Sequence, residues 1–360
     1  MKNIKPAQLI LYIQQLFRSM GCSIDDSLIC ADVLVRAEMR GISSHGLSRL
    51  PEYIALFDNG RVHGSSRPFF VRERVSTALI DGNKTFGMIS SAMAMRTAIE
   101  KAKVAGTGWV SVRNSYHFGI AGYYSMLALE HNMIGIAMTN ANPLVAPYRG
   151  SKGMLGTNPL SVAIPALKNP PIVIDMATAP ISRGKLDIFA AAGMAVEEGL
   201  VQDQAGKGVT DSSVLKKGGA ILPLGVDTEH AAHKGYCLSA MVDLLSAVLP
   251  GANFGPLVVP TLSYLGNRGE EDRGIGHFFG AISIDAFRDV SEFFEDVDLW
   301  IQLLREAPAI DKNLPVLIPG DPERVNETNS IEKGIQLTDE LYDELLMVGA
   351  RFNIPLKLLG

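Results

Sequence analysis

The sequence predicts an α/β protein with helical ends, and three observations carry that prediction. Between residues 64 and 285, short apolar runs of strand length alternate with longer stretches of helical periodicity, the pattern of an α/β domain. Residues 6–60 and most of 286–349 carry helical periodicity instead. The chain has 360 residues, 47% of them hydrophobic and 20% charged, enough apolar surface for a large core and for two or three domains.

Taken in order, the first helix turns Leu9, Ile10, Ile13, Leu16 and Phe17 to one side and stops at Gly21. Ser23 or Asp25 caps a second helix, which runs to Gly41. Ser43 or Ser44 caps a third, which places His45 and Arg49 four residues apart on one face, with Tyr53 continuing it. Residues 71–75 and 77–81 read as strands, residues 87–105 as a long helix, and residues 109–113 as a strand ending in a polar turn that carries His117. A helix over 123–130 and a buried strand over 133–138 follow, and that strand ends in the amide-rich turn Thr139-Asn-Ala-Asn-Pro143. Strands at 160–165 and 171–178 lead to a helix at 181–193, which has Arg183 and Lys185 near its start, and then to glycine-rich loops over 197–225. The helix at 236–249 is apolar nearly all round, which implies burial between other elements or subunits. A strand at 278–284, an amphipathic helix at 286–306, a strand and turn at 316–323 and helices at 323–333 and 338–349 close the chain.

Composition excludes several functions. The net charge is −5 with no Lys/Arg block, so the electrostatic footprint of a nucleic-acid binder is missing. Three cysteines without CxxC spacing fit a reducing, cytoplasmic compartment rather than a disulfide framework. No apolar run approaches the roughly 20 residues that span a bilayer, and Gln14 and Gln15 break the one that resembles a leader. There is no G-x-G-x-x-G between a strand and a helix, no phosphate loop, no H-E-x-x-H and no G-x-S-x-G.

The candidate chemistry lies at strand ends, where open α/β sheets bind ligands. His117 sits between a strand and a helix beside Gly119 and Gly122. An imidazole can give a proton to a developing alkoxide and take it back, although a histidine can also merely close such a turn. Asp175 ends a buried strand, where it can hold ribose hydroxyls, orient a histidine or cap the next helix. His45, Arg49 and Tyr53 suit an anionic oxygen compound, or a solvated face with a capping histidine. His230 and His233, one turn apart, make a metal-dependent lyase or hydrolase with His277 the competing enzyme. A non-catalytic small-molecule-binding dimer is the third possibility.

Six collinear motifs bear on this choice. They are Gly41-Ile-Ser-Ser-His-Gly46, Asn114-Ser-Tyr-His-Phe-Gly119, Met138-Thr-Asn-Ala-Asn-Pro-Leu-Val-Ala-Pro147, Gly156-Thr-Asn-Pro159, Asp175-Met-Ala-Thr178 and His233-Lys-Gly-Tyr236. Together they resemble the type 2 malate/L-lactate dehydrogenase family, which includes ureidoglycolate, sulfolactate and 2,3-diketo-L-gulonate oxidoreductases. The resemblance covers roughly residues 5–350.

That resemblance implies an α/β, non-Rossmann fold of the L-sulfolactate dehydrogenase type with helical N- and C-terminal regions. It implies an NAD- or NADP-dependent oxidoreductase acting at C2 of a small 2-hydroxy or 2-oxo acid, no resident metal, and a homodimer whose active site lies at the subunit interface. The chain divides on this basis into a helical part (1–65 with 286–360), a central α/β part (66–118 with 232–285) and a cofactor-binding part (119–231). His45 and His117 match the family's two active-site histidines, either of which can be the acid–base. Arg49 matches the holder of the substrate carboxylate, with Ser44 and Tyr53 beside it. Asn142, Thr157, Asn158, Asp175, Met176, Ala177 and Lys234 match cofactor-contacting positions, with Gly320 and Glu323 beside the nucleotide. The chain departs from the pattern in three places. Glu38 stands where aspartate is common, Ala141 where some members have serine, and 209–229 is longer and richer in Gly and Lys.

Overall fold

The computed structural model describes residues 2–226, 230–261 and 271–356. A short strand β1 (Lys2–Ile4) leads into helices α1 (Pro6–Ser19) and α2 (Ile24–Met39), which pack as a hairpin, and later into α3 (Leu50–Asp58). The first of these has Pro6 at its opening position, and Ser23 caps the second by accepting the Asp26 N–H. Next come β2 (Phe69–Glu73), β3 (Thr77–Asp81), α4 (Gly87–Ala105), β4 (Thr107–Ser115), α5 (Ala121–Met126), β5 (Met133–Thr139), β6 (Leu160–Ile164) and β7 (Ile172–Met176). Helix α6 (Arg183–Ala191) precedes three two-residue strands, β8 (Val201–Gln202), β9 (Gly208–Val209) and β10 (Ala220–Ile221). Then follow α7 (Ala232–Asp243), β11 (Ile275–Ser283), α8 (Val290–Arg305), α9 (Asp321–Lys333), β12 (Ile335–Leu337) and α10 (Asp339–Phe352).

Seven strands form one sheet in the order β2-β3-β4-β11-β5-β6-β7. Only β3 and β4 pair in parallel; the other neighbours are antiparallel. Because β4 and β5 both run against β11, their C-terminal ends meet at the same edge of the sheet, where β11 begins. Strand β6 also begins there and β7 ends there. One edge therefore collects the loop after Ser115, the loop after Thr139, the approach to Leu160 and the end of β7 at Met176. The main core lies under α1, α2 and α4, with Phe17, Tyr53 and Phe86 in edge-to-face contact. A smaller apolar cluster around Leu144, Ile181, Leu186, Val201, Val214 and Ile221 supports β8–β10.

Several element boundaries differ from the sequence expectation. No single helix begins at Ser43. Two 3-10 turns, Ser43–His45 and Leu47–Arg49, precede α3, so His45 and Arg49 do not share an α-helical face. The cause is the buried carboxylate of Glu38, which accepts the Leu47 N–H at 2.8 Å and occupies the space a side chain at Gly46 would need. The helix expected at 123–130 is α5 plus a 3-10 turn, Leu129–His131. The outermost strand runs over Phe69–Glu73 rather than 71–75. Residues 316–318 form no strand; Pro319 contributes a single carbonyl to the Val173 N–H. The loops of 197–225 contain the small β10-β8-β9 sheet, and β1 pairs with β12, which three-residue strands do not announce. The helix around 236–249 is apolar all round but buried on one side only, since Met241, Leu244, Val248 and Leu249 are exposed. Among the described residues, no helix is long and apolar enough to cross a membrane.

Candidate active site

The shared sheet edge holds a cleft whose wall includes His45, Glu52, His117, Asn142, Thr157 and Thr261. His117 follows β4 in a turn closed by Gly119 at φ +82°, a conformation that favours glycine. The Tyr53 hydroxyl lies 2.6 Å from His117 Nδ1, and the Gly119 backbone N–H donates to the same nitrogen at 3.3 Å. A backbone N–H can only donate, so Nδ1 is an acceptor and the neutral ring carries its proton on Nε2. That nitrogen has no hydrogen-bond partner among the described residues. Tyr53 is itself buried and is directed to His117 rather than to the cleft. Its hydroxyl is placed to orient the His117 ring, whereas the helical spacing with His45 and Arg49 had suggested a substrate contact.

His45 stacks on His117 with ring centroids 5.5 Å apart, and its Nδ1 lies 2.9 Å from Ser44 Oγ. One chain supplies both histidines. Burial, with His117 and Arg49 adding to it, lowers His45 to a pKa of about 3; burial, then Arg49 and His277, lowers His117 to about 3. Both rings are therefore neutral around pH 7 in the ligand-free protein. Arg49 donates through Nε to the Ser44 carbonyl at 2.6 Å and through Nη1 to Glu52 at 3.2 Å. Glu52 also receives Arg183 at 3.0 Å and the Thr261 hydroxyl at 2.7 Å, and Thr261 is joined to Asn142 at 2.9 Å. A continuous polar network thus crosses from the N-terminal helices to the amide loop after β5.

The amide cluster is mostly scaffold. Asn140 bridges the Asn253 carbonyl and the Gly276 N–H, each at 2.9 Å. Asn158 is fully buried and spends its amide on Ser239 and the Ala141 N–H. Asn140, Asn142 and Thr157 line the cleft, Asn140 with its side-chain amide already committed.

Asp175 and Met176 lie apart, in a second cleft with Arg40, Gly320 and Glu323. Asp175 Oδ2 accepts the Gly122 N–H at 2.8 Å, an approach so close that a side chain at Gly122 would meet that oxygen. Burial raises the Asp175 carboxyl to a pKa of about 6, against the lowering effect of Gly122 and Arg40, while Glu323 pushes it further up. Arg40 is committed to Glu327 at 2.8 Å. Ala177 continues from Met176 toward Thr178, which bonds to the Thr157 carbonyl and so joins the two clefts. Lys234 is exposed on the first turn of α7.

The metal alternative is not assembled. His277 is buried with Nδ1 2.7 Å from Thr139 Oγ1 and Nε2 2.8 Å from Ser115 Oγ, so both ring nitrogens are taken. Among the described residues no group of three potential ligands gathers, and Glu229, next to His230, lies outside them. Sequence reasoning missed Glu52 and Thr261, and it gave no site role to Glu38, named only as a departure from the family pattern, or to Arg183. Only the basic start of α6 was visible.

The geometry agrees with comparison to known proteins. A family model described as malate/L-lactate dehydrogenase matches residues 4–346. A malate dehydrogenase of Pyrococcus abyssi is 36% identical over 353 residues, covering 98% of this chain and 95% of that one. An L-sulfolactate dehydrogenase of Methanothermobacter thermautotrophicus is 37% identical over 356 residues, covering 99% of each. The crystal structure of malate dehydrogenase from Entamoeba histolytica superposes with a TM-score of 0.92 at 32% identity, covering 98% of this chain and 99% of that one. The chain is an oxidoreductase and belongs to the malate/L-lactate dehydrogenase family.

Proposed function

We propose that the protein reversibly transfers hydride between NAD and C2 of a small 2-hydroxy or 2-oxo acid, with His117 as the acid–base. The observation that carries this is the fixed state of His117. Its Nδ1 faces two donors, so proton exchange is confined to Nε2, the nitrogen left for a substrate oxygen. Arg49 holds the C1 carboxylate, which a guanidinium can grip with two parallel hydrogen bonds. His45, stacked on His117, completes the polar wall around the C2 oxygen with Ser44. An anionic substrate beside Arg49 offsets one of the causes that depress His117, so its proton affinity rises when substrate is bound.

The two clefts suit the two ends of a dinucleotide. Asn142 and Thr157 offer polar contacts at the reacting end, and the bound nicotinamide supplies or accepts the hydride. At the other end Asp175 keeps Oδ1 without a partner among the described residues, and Glu323 is the second carboxylate on that wall. Two acceptors suit ribose hydroxyls and repel a 2′-phosphate, which favours NAD over NADP. In this reading Met176, Ala177, Gly320 and Lys234 flank the cofactor, Asn158 supports it from beneath, and 119–231 is the cofactor-binding part.

The exposed apolar side of α7 and the turn after it suits a homodimer interface. Three free cysteines, two of them buried, suit a reducing cytoplasmic compartment. The test is a screen of NADH and NADPH oxidation against pyruvate, oxaloacetate, sulfopyruvate and diketogulonate. NADH oxidation with at least one acid is expected; failure with all four, for both cofactors, sinks the proposal.

A further inference from the structure

Glu52 lines the cleft from the first turn of α3, and its two oxygens are unequally loaded. Oε1 accepts the Thr261 hydroxyl. Oε2 accepts two guanidiniums at once, Arg49 Nη1 at 3.2 Å and Arg183 Nη2 at 3.0 Å. The three side chains are 13%, 18% and 21% exposed for Arg49, Arg183 and Glu52, so solvent screens them only in part. The other charges facing the group are Asp187, 3.8 Å from Arg183 and about half exposed, and Lys216, which acts on Asp187. Positive charges outnumber negative ones by one. The cluster is an anion site whose resident anion is a protein carboxylate.

Arg183 is held there by the fold. It opens α6, which Ser182 caps by accepting the Lys185 N–H. Gly184, next in the chain, lets this helix come close to the Arg49 guanidinium, since a side-chain carbon there would stand 3.1 Å from Nη2.

We propose that Arg183 is a specificity-determining residue that receives a second acid group on the substrate, and that Glu52 is the carboxylate this group displaces. The inference rests on the 2-hydroxy acid dehydrogenase reading, in which Arg49 takes the C1 carboxylate. The guanidinium nitrogens that share Oε2 are no further apart than two hydrogen bonds laid end to end. That span matches the two acid groups of a short-chain dianion. Such a substrate exchanges one arginine–anion pair for another, whereas a monoanion leaves Glu52 in place. A guanidinium serves a distal carboxylate or a distal sulfonate, and the substrates tested separate the two.

The experiment measures kcat/KM with NADH for oxaloacetate, sulfopyruvate and pyruvate in the wild type, Arg183→Gln and Glu52→Gln proteins. Calorimetry gives Kd for malate, sulfolactate and lactate, with and without NADH. Arg183→Gln is expected to lower the preference for two-acid over one-acid substrates by about ten- to hundredfold, the range one charge-assisted hydrogen bond controls. Glu52→Gln is expected to raise it, by about three- to tenfold. Opposite signs cannot arise from a general loss of structure. A stronger response with oxaloacetate assigns a distal carboxylate, and one with sulfopyruvate a sulfonate. An unchanged preference in Arg183→Gln, or shifts of the same sign in both variants, overturns the proposal, as does failure of the wild type to bind any dianion. Binding without turnover would sink the dehydrogenase reading, while the Kd ratios would still decide the role of Arg183.

Discussion

The two clefts at one sheet edge hold their ionisable groups in opposite ways. Around His117 and His45, burial first, with the Arg49 guanidinium and neighbouring histidines adding to it, keeps two bases neutral, with pKa values pressed to about 3. Around Asp175, burial and a neighbouring carboxylate push an acid up, to about 6. The first arrangement is poised to gain a proton when an anion arrives. The second is poised to accept hydroxyl hydrogen bonds and to turn away further negative charge. In the proposed function, one edge of one sheet supplies both ends of a redox site through the different charges that surround its buried groups.

The largest expected effect breaks the first cleft. His117→Ala should lower kcat by about a hundred- to ten-thousandfold, and His45→Ala by less, in steady-state assays with saturating NADH. Next, Arg49→Lys should lower kcat/KM by about ten- to hundredfold, mostly through KM, because a point charge replaces a two-pronged contact. Tyr53→Phe should cost about tenfold in kcat with little change in KM, since it removes one of two donors to His117 Nδ1.

The second cleft responds more gently. Asp175→Asn should narrow the preference for NADH over NADPH by about tenfold, read as the ratio of kcat/KM values. The same substitution tests the sign of its proton linkage. The folded pKa lies above the unfolded value of 3.8, so the acid's contribution to stability is full below about pH 4 and is lost as pH rises through about 6. Asp175→Asn should therefore stabilise the ligand-free protein at pH 8, by about 1–3 kcal/mol, with the gain fading near pH 4 in thermal or denaturant melts. A gain of equal size at both pH values would contradict the buried-acid description.

Much of the fold was legible in the sequence because its signals are local. The bounds of β3 and α4 follow from period and punctuation alone. His117 was legible because a strand, a histidine and two glycines lie together, and His45 and Arg49 because their motif resembles a known family. The rest was hidden for physical reasons. Glu52 joins Arg183 across 131 positions and Thr261 across 209, and no local pattern reports such contacts. Tyr53 looked like a third member of a helical face, yet Glu38 breaks that face into two turns and Tyr53 packs inward. The three-residue strands β1 and β12 are too short for any periodicity to show.

The most direct measurement of the central claim is NADH oxidation by the purified protein with its best 2-oxo acid, in the wild type beside His45→Ala and His117→Ala. The account predicts rapid oxidation by the wild type, near-complete loss in His117→Ala, and NADH affinity kept in both variants. Near-normal turnover in both histidine variants would contradict it.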